Sequence, residues 1–134
     1  MAFLAAAMLV AALSVSAQQT VLLPGVADLP VLYGSVYSPD CGGLRELVGA
    51  DMQCVGAPAE EIDGLMNAYA AEARRHGWKD GDGAANALWL TRATTQGCEK
   101  LTIAGFWDFR ADTDYREGLP ALVGFLVEPV GRCE

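Results

Sequence analysis

The densest group of chemistry-bearing side chains is Asp108, Asp112, Asp114 and Glu117. Paired carboxylates can act as general acid and base in glycoside cleavage, and they can hold a hard cation through oxygen. Arg110 and Arg116 are interleaved among them, so a solvated loop with local ion pairs is the plainer reading. No metal is expected, and these four would be the ligands if one bound.

A Ser–His–acid triad needs a histidine base, and His76 is the chain's single histidine. It falls in the last turn of an expected helix, where a cation complements the helix dipole. Asp80-Gly81-Asp82-Gly83 opens like a calcium loop, which then needs an oxygen ligand, a Gly and a distant Glu. Ala84, Ala85 and Thr91 stand at those places, so a polar turn is expected. Trp78, Trp89 and Trp107 could line a carbohydrate or peptide groove, although aromatic residues near strands more often belong to the core. No phosphate loop, CxxC pair or zinc-helix motif is present, and no cofactor is expected.

The four cysteines are Cys41, Cys54, Cys98 and Cys133. Zinc sites use close Cys pairs or His partners, and neither occurs here. Two disulfides are the expectation, with three possible pairings.

These residues must be held by a small set of elements. The strongest pattern is a helix over Pro58–His76, with Ile62, Leu65, Met66, Tyr69, Ala70 and Ala73 on one face. Glu60 and Glu61 suit its start, and Gly77 suits a left-handed cap at its end. Trp78 should pack back on it. A first strand is expected at Val31–Tyr37, and a short helical turn around Leu44, Leu47 and Val48. Lys79–Ala85 reads as a loop. Strand-like runs follow at Ala87–Thr94, Leu101–Arg110 and Leu122–Val130, the first two joined by a turn at Thr95–Cys98.

The class is therefore α+β, with one amphipathic helix on an antiparallel sheet of about four strands. In a meander, the end of the third run lies beside the start of the second. That places Cys98 next to Cys133 and leaves Cys41 with Cys54. Both sheet faces come out apolar whichever way the strands align, and one helix covers only one of them. The face bearing Trp89, Phe106 and Phe125 is the expected binding surface unless residues 20–56 cover it.

The order Leu29-Pro30, a helix bearing Tyr69, His76-Gly77-Trp78 and a hairpin is similar to that of small exported bacterial domains whose helix ends in Gly-Trp before an antiparallel sheet. The resemblance implies that order of elements and assigns no functional residue.

Residues 1–17 carry no charged side chain. The apolar stretch Ala2–Leu13 is shorter than the about 20 residues a membrane span needs. Ser14-Val15-Ser16-Ala17 then offers small side chains before Gln18. The pattern predicts a signal peptide at 1–17 and a single exported domain at 18–134, periplasmic or secreted, with no stable membrane anchor after cleavage. The net charge of −8 argues against nucleic acid and anionic lipid as partners. The expected function is that of a non-enzymatic binding or accessory protein of the bacterial envelope, with a protein partner or a second copy as possible occupants. A carboxylate-dependent hydrolase and a structural subunit of an envelope assembly are the rivals.

Overall fold

The computed structural model describes residues 20–108 and 117–133. The expected signal peptide, Asp112 and Asp114 lie outside the described residues.

The chain forms strands β1 (Val21–Leu22), β2 (Leu29–Pro30) and β3 (Val36–Tyr37), then helix α1 (Arg45–Val48) and strand β4 (Gln53–Pro58). Helix α2 (Ile62–Arg75) follows, then β5 (Lys79–Ala84), β6 (Ala87–Thr94), β7 (Gly97–Phe106) and β8 (Pro120–Val130). Among the described residues, β1 and β2 pair alone, and the other strands form one antiparallel sheet of six in the order β3-β4-β8-β7-β6-β5. The class is α+β as expected, but the sheet has six strands rather than about four.

Two missed strands account for the difference, and each has a physical reason. β4 carries Gly56 and Pro58, which depress strand propensity. Yet it lies between β3 and β8, where Val55 opposes Val123 on the helix side. β5 has the composition of a loop. Its glycines let it approach β6, because a Cβ on Gly81 would stand 3.1 Å from the Trp89 carbonyl oxygen and one on Gly83 3.2 Å from that of Ala87. Asp80 and Asp82 then leave a charged, exposed edge, which discourages pairing with further strands. The expected first strand shrinks to Val36–Tyr37, because residues 32–35 make a turn closed by Ser35 N–H donating to Leu32 O.

α2 forms as its spacing predicts, preceded by a 3₁₀ turn at Ala59–Glu61. Pro58 ends β4 instead of opening the helix. At the other end Gly77 takes φ +89°. Its N–H donates to Arg74 O, and Trp78 N–H donates to Ala73 O. These two bonds satisfy the carbonyls that the helix leaves open, and the turn drives Trp78 into the core, as expected.

The buried face of α2 lies on Leu90, Leu101, Ile103, Val123, Phe125 and Val55. Helix and sheet approach closely because residue 105 is Gly: a Cβ there would meet Ile62 Cγ2 at 2.6 Å. The β1–β2 hairpin adds Leu22, Ala27 and Leu29 to this core. The Tyr69 hydroxyl accepts from Leu32 N–H at 2.9 Å and bonds the Ser35 hydroxyl at 2.7 Å. Arg92 stacks 4.5 Å above the Trp78 ring and donates to Val26 O. The N-terminal segment is thus fastened on the helix side.

Both disulfides have the expected pairing, Cys41–Cys54 and Cys98–Cys133. The strand-order argument also holds, since Cys98 lies opposite Val130. Two disulfides fit a non-cytoplasmic protein. Among the described residues, no helix is long and apolar enough to cross a membrane.

Candidate functional site

The strand register sorts every side chain of the sheet onto one of two faces. β6 pairs with β7 so that Trp89 opposes Thr102, and β7 pairs with β8 so that Thr102 opposes Leu126. Phe106 opposes Leu122 on that same face. Phe125 opposes Ile103 and points the other way, under α2. There it is fully buried, with its ring edge-on to Tyr69 at 4.7 Å. The three aromatic residues expected on one binding surface are therefore divided. Trp89 and Phe106 share the second face, and Phe125 belongs to the helix-side core.

The second face is itself divided. At one end lie the rows Phe106–Leu122–Gly56–Val36 and Ala104–Gly124–Cys54. Residues 41–52 fold over this end. Cys41, Leu44, Cys54 and Leu122 form a small second core, with Val48, Met52 and Phe106 packed against it. The fit is tight: a Cβ on Gly124 would meet Met52 Sδ at 2.5 Å, and one on Gly42 would meet Leu122 Cδ1 at 2.9 Å. The Cys41–Cys54 bond fixes this cover to β4. Expected cover by residues 20–56 is thus right for one end, while residues 20–32 pack on the helix side.

At the other end run the rows Trp89–Thr102–Leu126, Thr91–Lys100–Glu128 and Ala93–Cys98–Val130. Trp89 and Leu126 belong to neither core. Trp89 lies in a shallow depression of about 280 Å³ lined also by Gly81, Asp82, Thr91, Lys100, Val130 and Arg132. A break in the β5–β6 register between Asp80 and Gly83 brings Gly81 and Asp82 here, as bulges re-aim side chains at sheet edges. The Cys98–Cys133 bond returns the C-terminal tail to β7, which sets Arg132 at the same place. Lys100 Nζ stands 5.6 Å from the Trp89 ring centroid and 4.0 Å from the Glu128 carboxylate.

The three tryptophans do not form one groove. Trp78 is core. Trp107 packs partly buried against the helix-side core and lines a cavity of about 460 Å³ at the start of α2, with Glu60, Asp63, Asn86 and Phe106. A third hollow, of about 470 Å³, includes Val36, Leu44, Asp108 and Leu122. Asp108 lines this hollow and not the Trp107 cavity, and Glu117 is exposed beside Gly118. Among the described residues, no three His, Cys, Asp or Glu side chains gather as metal ligands would.

Glu60 accepts the Gly118 N–H at 2.9 Å, and this bond holds its carboxyl below the ordinary range. A group so held is ionised at neutral pH, the form of a general base rather than of a general acid. His76 caps α2, with Nε2 3.5 Å from a Glu72 carboxylate oxygen. The sequence reading does not name Arg132, and it takes Asp82 only as part of a polar turn. The signal for Arg132 was its place beside Cys133, once the disulfide had been paired. The Asp-Gly-Asp-Gly pattern marked Asp82 but not its place on this face, because the bulge that positions it follows from packing of β5 on β6.

No family model matches the chain, and no curated protein and no solved structure shows significant similarity to it.

Proposed function

We propose that this is a periplasmic or secreted, non-enzymatic binding protein, exported by way of residues 1–17, which engages its ligand through the open half of the second sheet face. One observation carries the reading: residues 41–52 cover one end of that face and leave Trp89 outside both cores, within a depression of polar and charged side chains. Partly exposed aromatic side chains with polar surroundings are a common basis for recognition. The disulfides support an oxidising compartment.

The test is a titration of the isotopically labelled protein with soluble extract of the exported fraction. The Trp89 indole signal should shift while that of Trp78, buried in the core, stays in place. An extract that moves no resonance of Trp89, Thr91 or Lys100 contradicts the proposal.

A further inference from the structure

The Trp89 depression combines an aromatic floor with hydrogen-bonding groups of both kinds. Lys100, Arg132 and Thr91 can donate, and Asp82 and Thr91 can accept. Glu128 stands next to Lys100 on the same face. The lining holds two cations and one carboxylate, and Glu128, ion-paired to Lys100 beside it, brings the neighbourhood to no net formal charge in a chain of net charge −8. Such a balance gives no advantage to a ligand with net charge. It suits a ligand with many hydroxyl groups, each able to donate to a carboxylate and accept from a cation.

The floor points the same way. One face of an indole offers a flat apolar plate, which matches the C–H face of a pyranose ring. Lys100 sits near the outer limit of about 6 Å for a cation–π contact, at 5.6 Å from the ring centroid. It gives up little when a sugar ring takes the plate and a hydroxyl takes the ammonium. The depression is open and shallow, so it fits part of a chain of sugars better than a small molecule enclosed on all sides. Two devices hold its walls. The β5 bulge presents Asp82, and the Cys98–Cys133 bond presents Arg132.

We infer that the Trp89 depression binds a neutral saccharide, with one pyranose ring stacked on Trp89 and its hydroxyls bonded by Asp82, Lys100 and Arg132. The inference rests on the reading that this half-face is a binding surface, and it names the ligand class.

The experiment titrates the full chain with neutral oligosaccharides, the trimer of N-acetylglucosamine and cellotriose, and with trigalacturonate as the acidic counterpart. Indole and amide resonances are followed. At least one neutral trimer should shift the Trp89 indole and the Thr91 and Lys100 amides saturably, and trigalacturonate should bind more weakly. Trp89→Ala, read at the Thr91 and Lys100 amides, should bind ~tenfold more weakly, and Trp89→Phe should recover part of the loss. Arg132→Gln should weaken binding while the Trp78 indole signal reports an intact core. The inference is overturned if neither neutral trimer produces a shift, if Trp89→Ala binds as the parent does, or if trigalacturonate binds as well as the neutral trimers. An extract of the exported fraction separates this failure from a wider one. If the extract shifts Trp89 only before protease treatment, the ligand is a protein and the saccharide assignment fails alone. If it shifts nothing at either stage, the binding reading fails too.

Discussion

The two faces of the sheet differ in how they exclude water. The helix-side face is closed by α2 and by the β1–β2 hairpin, and Leu90, Leu101, Ile103, Val123 and Phe125 are each almost wholly buried. The second face is closed at one end by residues 41–52, a segment with one short helix held by a disulfide. At its other end it meets solvent around Trp89. Stability therefore concentrates on the first face, and the open half of the second is where we propose that recognition takes place.

The sharpest way to break this comparison is to truncate one aromatic residue on each side. Phe125→Ala should cost about 3–5 kcal/mol, the usual range for removing a fully buried ring. Trp89→Ala should cost about 1 kcal/mol, despite the larger side chain, because its surroundings are partly solvated. Urea unfolding of both variants checks the order, and equal losses would mean that the second face is a core.

A smaller effect tests the rigidity of the two covers. Gly105→Ala forces a methyl against Ile62 Cγ2, a branched side chain on a packed helix. A loss of about 1–3 kcal/mol is expected from such overpacking. Gly124→Ala meets Met52 Sδ, the far part of a flexible side chain, and should lose less. The reverse order would show that the cover from 41–52 is the stiffer one.

Tyr69→Phe removes the hydroxyl that joins α2 to Leu32 and Ser35. A loss of about 1 kcal/mol is expected. Hydrogen exchange should quicken at Leu32 while amides of β7 keep their protection.

The smallest effect is the pH response of Glu60. Its folded value is lowered by the Gly118 N–H, so its contribution is full above the unfolded value and is lost as pH falls through the folded one. A Glu60→Gln variant should show a shallower decline in melting temperature below about pH 4.5, the ordinary value for Glu. Identical declines would place the acid sensitivity elsewhere.

Much of the fold was legible in the sequence. The helix stood out because its apolar spacing and its Gly77 cap are local properties. The disulfides followed from strand order, which the turn at Thr95–Gln96 and the apolar runs supply. β4 and β5 were hidden because their pairing depends on partners far along the chain, and their Gly, Pro and Asp content argues for loops. The site was half legible. Trp89 and Phe106 were placed on one face, but Phe125 was assigned to it wrongly, because parity within a strand does not fix register between strands. Only the opposition of Ile103 to Phe125 resolves that choice.

The most direct test needs no ligand. The three indole N–H signals can be compared for attenuation by a soluble paramagnetic probe, with Trp→Phe variants for assignment. The indole nitrogens of Trp78 and Trp107 are buried, so their signals should be spared while that of Trp89 is attenuated. Equal protection of all three would contradict the account, because the second face would then be closed along its whole length, by a second copy or by the chain itself.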